Sequence, residues 1–183
     1  MNVMIRKEEE KDYERVYEIH LLACKQENEG KLIEKIRLGD DFIPALSLVA
    51  EMDDKMVGHI LFSKVRIIGD SVFETLALAP MSVIPEYQKK GIGSLLIMSG
   101  IMFAKELGFD SIFVLDYEDY YTKFGFQKVS NWNIKCPFRV PDEGFMAIEL
   151  INDSLKNITG TIEYPDEFKN FNRIKKLLYD SQT

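Results

Sequence analysis

The segment VIPEYQKKGIGS, residues 83–94, ends an apolar strand-like run and opens a long helical one, and it decides how the chain is organised. Two glycines, Gly91 and Gly93, stand where the helix would begin. The first N–H groups of a helix lack partners within the helix and, together with the helix dipole, attract phosphate. Glycine lets the backbone approach that phosphate without a side chain in the way. Lys89 and Lys90 add positive charge, so the segment predicts an anion-binding turn.

Two common phosphate-binding loops do not fit this segment. A P-loop needs Lys-Ser or Lys-Thr directly after its last glycine, whereas Ser94 and Leu95 follow Gly93. A dinucleotide fingerprint needs a third glycine where Leu96 stands, and it belongs to a βαβ unit rather than to hairpin strands. The glycine turn therefore indicates another phosphate ligand, with a plain helix start as the alternative.

On either side of the turn, the spacing of apolar residues predicts strands and helices in the order β-α-α-β-β-β-α-β-α-β-β. Strands are predicted over residues 3–6, 47–52, 56–67, 72–83, 111–115, 126–131 and 145–150, and helices over 9–26, 31–38, 91–107 and 118–124. The fold class is therefore α/β (α+β), with a mixed, mostly antiparallel sheet flanked by helices. The strands from Val72 and Ser111 form a parallel junction, because a helix connects them. The tail holds an apolar stretch, 158–164, and a predicted helix, 173–179.

The composition limits which classes of function the chain can have. The chain has 183 residues, enough for one domain, and a formal net charge of −7, which gives no pull toward nucleic acid. Two cysteines and two histidines without ligand spacing predict no metal site. The charged N-terminus does not resemble a signal peptide, and the longest apolar run, residues 95–104, is too short to span a bilayer. We expect a cytoplasmic protein that binds no membrane.

Pro80 interrupts the apolar strand that leads into the glycine turn. Proline removes a hydrogen-bond donor from a strand and indicates a bulge, which frees neighbouring N–H groups from pairing. Freed donors at Met81, Ser82 or Val83 could bind an extended ligand that carries amides, or an oxyanion. The alternative is an edge-strand proline with no further role.

Residues 83–94 resemble the acetyl-CoA motif of the GNAT superfamily of N-acetyltransferases, in which Gln or Arg is followed by two residues of any kind and then by Gly-x-Gly or Gly-x-Ala. Gln88, Gly91 and Gly93 match that spacing. The stretch YYTKFGF, residues 120–126, is similar to the second signature of the family, a tyrosine before Gly-Phe. The resemblance covers roughly residues 3–150. It implies a GNAT-like acetyltransferase domain at 1–150 with a splayed parallel junction. The C-terminal extension at 151–183 lies outside the resemblance, and we expect it to pack on the same domain.

The resemblance also implies a binding mode for acetyl-CoA as co-substrate. Gln88 would help to set the turn, and the acetyl thioester would lie near Val83. Asp116 stands where many family members have asparagine, and a carboxylate at this position could instead contact a cationic substrate. The residues expected to bind acetyl-CoA are Met81, Ser82 and Val83 along the pantetheine, Gln88, Lys89, Lys90, Gly91, Ile92, Gly93 and Ser94 around the pyrophosphate, and Asp116.

By the same resemblance, Tyr121 is the general acid, because a phenol with a reference pKa of about 10 can protonate a departing thiolate. The alternative is a core aromatic residue. A base must accept the proton of the attacking amine, and Glu74 is our candidate ahead of His59, whereas His20 is expected to be a packed helix residue. The expected activity is direct acetyl transfer to a primary amine of a small molecule or protein. An acyl-CoA-binding sensor with little catalysis is the alternative, and a homodimer is one assembly that the sequence allows.

Overall fold

The computed structural model describes residues 2–116 and 118–169, and the chain divides into two compact units. Unit 1 comprises the chain up to Ser63 together with Leu78–Leu107, and unit 2 comprises Lys64–Ala77 and the chain from Gly108 onward. Two long strands run from one unit into the other. The helices are α1 (Tyr13–Cys24), α2 (Asn28–Leu38), α3 (Ile92–Glu106) and α4 (Glu118–Tyr121). The strands are β1 (Val3–Lys7), β2 (Phe42–Met52), β3 (Lys55–Ile68), β4 (Val72–Val83), β5 (Ser111–Leu115), β6 (Gln127–Lys128), β7 (Asn133–Lys135), β8 (Phe145–Glu149) and β9 (Thr159–Glu163).

In unit 1 the strands follow the order β1-β2-β3-β4, and β2 pairs antiparallel with both β1 and β3. The β2–β3 hairpin turns at Asp53 and Asp54, whose φ angles of 51° and 60° are left-handed. Aspartate tolerates this region better than most residues, and two left-handed residues match the twist of a tight hairpin. The turn joins β2 to β3, which contain the strands predicted over residues 47–52 and 56–67.

Unit 1 has a close contact between α3 and β3 at Gly100. A Cβ at Gly100 would overlap the ring of Phe62, which is fully buried. One turn earlier, Leu96 of α3 packs against Gly58 of β3, and a Cβ at Gly58 would lie 3.1 Å from the Leu96 side chain. Small residues on facing elements let a helix approach a sheet closely, and this contact fixes the position at which α3 begins.

Unit 2 contains the remaining strands, with β8 pairing antiparallel with both β5 and β6. β9 pairs antiparallel with the end of β3 and parallel with β7. At the starts of β4 and β5, the Thr75 hydroxyl lies 2.9 Å from the Ser111 carbonyl oxygen and 2.7 Å from the Ser111 hydroxyl. The core of this unit gathers the buried apolar faces of its strands, including Phe113 and Phe145.

The predicted element order is confirmed, with three differences. The predicted strand at 126–131 is wrong beyond Lys128, because Val129–Asn131 forms a 3-10 turn whose last bond runs from the Trp132 N–H to the Val129 carbonyl oxygen. β7 was not predicted, and the apolar stretch at 158–164 is largely strand β9. The predicted helix at 173–179 lies outside the described residues. Within the described part of the chain, none of the helices has the length and hydropathy needed to cross a bilayer.

Candidate active site

The turn between β4 and α3 combines two left-handed residues with a helix start. Gly91 has φ 83° and caps α3, and Lys89 has φ 61°. A Cβ at Gly91 would meet nothing within 4 Å, so the glycine serves the backbone angle rather than a lack of space. The N–H of Leu95 donates to the Gly91 carbonyl oxygen at 3.1 Å. Helix geometry therefore leaves the N–H groups of residues 91–94 without intrahelical partners.

Side-chain and backbone hydrogen bonds hold this turn against the end of β4. The Gln88 side-chain amide donates to the Val83 carbonyl oxygen at 2.9 Å. The Ile84 N–H donates to the Val57 carbonyl oxygen at 3.0 Å, which fixes the turn to β3. Lys90 lies 4.7 Å from the ring centre of Tyr87, and both lysines before Gly91 are exposed. The turn thus presents free helix amides beside exposed positive charge.

The end of β4 places Met81, Ser82 and Val83 directly before this turn. Ser82 is buried, with 5% of its surface exposed, and the residues on either side of it are half-buried. Its hydroxyl lies 2.8 Å from Nδ1 of His20 on α1. The structure therefore brings Ser82, which is predicted to bind the cofactor, into contact with His20, which is predicted to be a packed helix residue.

Unit 2 brings Tyr121 and Asp116 together. The Tyr121 hydroxyl donates to Asp116 Oδ2 at 3.3 Å, and the residue is 3% exposed. Its ring meets those of Tyr120 and Phe126 edge to face, with ring centres 5.4 Å and 5.6 Å apart. Aromatic neighbours of this kind fix a ring position, while the carboxylate orients the hydroxyl. Tyr121 therefore combines a ring that is held by packing with a hydroxyl that is held by a hydrogen bond.

Glu74 lies near the beginning of β4, whereas the glycine turn follows the end of that strand. Its side chain is 56% exposed, and its carboxylate lies 3.6 Å from the Lys64 ammonium group. An exposed ion pair of this kind contributes little to stability. The role of Glu74 as general base stays a prediction.

A buried row of polar side chains crosses unit 1 and was missed in the sequence analysis. We call it the polar chain; in order along its hydrogen bonds it contains Ser82, His20, His59, Ser47 and Glu8. His20 Nε2 lies 2.9 Å from His59 Nδ1, and His59 Nε2 lies 2.9 Å from the Ser47 hydroxyl. The Ser47 hydroxyl donates to Glu8 Oε2 at 2.7 Å. Glu8 in turn forms an ion pair with Arg37.

Burial keeps both histidines of the polar chain neutral. It lowers the pKa of His20 to about 3, with a smaller contribution from the Arg37 charge. Burial also lowers the pKa of His59 well below its usual 6.5, and His20 and Arg37 add to this effect. The Glu8 carboxylate lies 3.7 Å from His59 Nε2 and favours a protonated, positively charged ring. The loss of hydration disfavours that charge more strongly, because the ring is fully buried.

The comparisons with known proteins agree with this geometry. Residues 4–126 match the model of the acetyltransferase (GNAT) family. The chain is 34% identical over 130 residues to the "Uncharacterized N-acetyltransferase YjhQ" of Escherichia coli (strain K12), covering 70% of this chain and 72% of that protein. It is 28% identical over 144 residues to YhbS of the same strain, also named an uncharacterized N-acetyltransferase, covering 78% of this chain and 84% of that protein.

Solved structures show the same fold. The YhbS enzyme from Escherichia coli, solved in complex with CoA, superposes with a TM-score of 0.86 at 25% identity over 93% of this chain and 94% of that one. A GNAT family acetyltransferase from Brucella melitensis, solved with acetyl-CoA, gives a TM-score of 0.75 at 28% identity over 92% and 99%. The predicted fold class and enzyme class are confirmed: the chain belongs to the acetyltransferase (GNAT) family.

Proposed function

We propose that this acetyltransferase moves the acetyl group of acetyl-CoA to a primary amine of a small molecule or protein by direct attack, without a covalent enzyme intermediate. The observation that carries the proposal is the start of α3, where free amides at residues 91–94 lie beside exposed lysines. Two structural relatives were solved with CoA or acetyl-CoA, which supports acetyl-CoA as the co-substrate. Acetyl-CoA supplies the activated thioester.

The turn before α3 fits a diphosphate group. The proposed pyrophosphate ligands are the backbone N–H groups of residues 89–94, with the charges of Lys89 and Lys90. Gln88 acts indirectly, because its bond to the Val83 carbonyl oxygen holds the end of β4 beside the turn. Met81, Ser82 and Val83 are proposed to hold the pantetheine arm through their backbone, as a neighbouring strand would.

Tyr121 is proposed as the general acid. Its hydroxyl donates to Asp116 Oδ2 in the structure, and a phenol can give its proton to a departing thiolate. The contact supports an orienting role of Asp116 for this hydroxyl, besides its proposed place near the cofactor. Positioned acid–base groups typically contribute a factor of roughly 10²–10⁴ to the rate.

The general base accepts the proton that the attacking amine must lose. Glu74 is kept as a proposal, and its test is the Glu74→Gln variant, which keeps the shape and removes the charge. If Glu74 accepts the proton, turnover should fall over the whole pH range in which the amine is protonated. Unchanged turnover in that range would remove Glu74 from the mechanism.

A CoA-release assay tests the proposed function. The full-length protein is incubated with acetyl-CoA and a panel of polyamines, aminoglycosides, amino acids and peptides with free N-termini, and thiol release is followed. We expect release that depends on one class of amine, with an acetylated amine identified by mass spectrometry. Tight binding of acetyl-CoA by calorimetry without an acetylated product from any amine would instead favour the acyl-CoA sensor.

A further inference from the structure

The polar chain is continuous, and it is closed along most of its length. His20, His59 and Ser47 are fully buried, whereas Ser82 keeps 5% of its surface exposed at the end of β4. At the far end, Arg37 lines an open cleft of about 780 Å³ between α1 and α2. Buried polar groups are costly unless each has a partner, so a row of five is a strong constraint on this fold. The polar chain joins the proposed pantetheine site to the cleft on the other side of unit 1.

The carboxylate at one end fixes the direction of every hydrogen bond in the chain. An ionised carboxylate only accepts, so Ser47 donates to Glu8 and must accept from His59 Nε2–H. His59 is neutral, so its Nδ1 accepts from His20 Nε2–H. His20 Nδ1 then accepts from the Ser82 hydroxyl. Both rings are therefore Nε2–H tautomers, and all donors point away from Ser82 toward Glu8.

This direction leaves the Ser82 oxygen as the accepting end. Its own proton is engaged by His20, so its lone pairs are available to a donor at the end of β4. The Cys24 sulfur lies 3.5 Å away and, as a weak S–H donor, can occupy one of them. A second lone pair remains for a group bound beside β4.

Resting on the proposed function, we propose that the polar chain is a proton relay that takes a proton from the attacking amine at Ser82 and delivers it to Glu8, so that Glu8 takes the place of Glu74 as the final proton acceptor. The amine nitrogen gives one proton to Ser82 Oγ as its bond to the acetyl carbon forms. Ser82 passes its own proton to His20 Nδ1, and the Nε2 proton of His20 moves to His59 Nδ1. The Nε2 proton of His59 moves to Ser47, whose hydroxyl proton goes to Glu8 Oε2. The amine has lost one proton, Glu8 has gained one, and every member between them is neutral throughout.

The burial of the rings makes this transfer concerted. A proton that stopped on His20 or His59 would create a buried imidazolium, which desolvation disfavours strongly. Glu8 is the negative charge at the end of the chain, and Arg37 beside it shares its cleft with Glu14, Glu18 and Glu34, which offset the Arg37 charge once Glu8 is neutral. After product release the protons return along the same bonds and one leaves to water at Ser82, which restores the original tautomers.

The titratable groups around the two rings come from three elements. Glu8 follows β1, Arg37 lies on α2, and Cys24 ends α1. Nitrogen NMR of the full-length protein tests the predicted direction without any substrate. Two-bond ¹H–¹⁵N correlations at neutral pH should show both imidazoles protonated at Nε2 and bare at Nδ1. A ring protonated at Nδ1, or at both nitrogens, would overturn the relay.

Kinetics tests the transfer itself, with the panel amine that turns over fastest. His20→Gln keeps a polar side chain but cannot pass a proton, and Ser47→Ala opens the chain before Glu8. We expect kcat to fall by roughly 10²–10⁴-fold at pH 7, with the KM for acetyl-CoA unchanged. The loss should persist at pH values at which the amine is neutral, because the attacking nitrogen still has to lose one proton as its bond to the acetyl carbon forms. The matched control is Thr75→Val, which removes a buried hydroxyl from unit 2 and should keep the wild-type kcat.

The outcomes separate this inference from the proposed function. Acetyl transfer by wild type with an unchanged kcat in folded His20→Gln and Ser47→Ala would overturn the relay and leave the acetyltransferase activity standing. If His20→Gln fails to fold, Ser82→Ala tests the accepting end with little loss of packing, and its full activity would also overturn the relay. Absence of transfer by wild type to every amine would contradict the proposed function itself.

Discussion

The two buried histidines predict that the folded protein loses stability steeply below pH 6.5. They are the only histidines in the chain, and burial holds the pKa of His20 at about 3 and that of His59 well below 6.5. In the unfolded chain both bind protons near pH 6.5, so acid favours unfolding. The stability that comes from their neutral burial is present above pH 6.5 and is lost as pH falls. From pH 7 to pH 5 each histidine costs about 2 kcal/mol, or about 4 kcal/mol for the pair.

Urea unfolding followed by circular dichroism at pH 7, 6 and 5 measures this loss. The matched comparison is the double variant His20→Gln/His59→Gln, which lacks both groups and should lose far less stability over the same range. Restricting the range to pH 5 and above keeps most carboxylates ionised, including Asp12, whose pKa is lowered by its hydrogen bonds with Arg6. Equal losses for the two proteins would refute the argument, as would imidazole NMR signals in the folded protein that titrate near pH 6.5.

Three further predictions follow from single contacts. Gly91→Ala places a side chain at φ 83° and should lower the free energy of unfolding by about 1–2 kcal/mol, measured by urea unfolding. The same substitution should weaken acetyl-CoA binding, measured by calorimetry, and an unchanged affinity would contradict this prediction. Gly100→Ala would overlap Phe62 and should destabilise the protein by about 1–3 kcal/mol without altering the turn at Gly91, measured as a shift of the urea midpoint. Tyr121→Phe should lower kcat by roughly 10²–10⁴-fold at constant acetyl-CoA affinity, with Tyr120→Phe as control, and equal turnover in the two variants would reject Tyr121 as the acid.

Local sequence signals were sufficient for most of the fold. The strand and helix periods and the paired glycines all act within a few residues, and the elements they predict within residues 2–116 and 118–169 are present. The strand at 126–131 ended early because a 3-10 turn formed at Val129–Asn131, and β7 is too short to show a period of its own. β9 depends on pairing with the distant end of β3, which apolar spacing alone does not reveal.

The polar chain shows what the sequence could not supply. Apolar spacing predicts that His20 lies on the inner face of α1, but the spacing does not indicate which residue contacts His20. His20 and His59 lie far apart in sequence and meet only because α1 packs on the face of β3 that carries His59. Burial then makes each ring depend on the next, so the signal exists only at the level of tertiary packing. The sequence feature that indicates such a network is a pair of histidines in apolar segments of a chain that has no other histidine.

The central claim is that the N–H groups at the start of α3 bind the diphosphate of acetyl-CoA. Amide ¹H–¹⁵N spectra of the protein, recorded with acetyl-CoA and with S-acetylpantetheine, which lacks the diphosphate, measure this most directly. The account predicts large shifts at Gly91, Ile92, Gly93 and Ser94 with acetyl-CoA and little change there with S-acetylpantetheine. Saturation of the protein by acetyl-CoA with those four amides unmoved would contradict it.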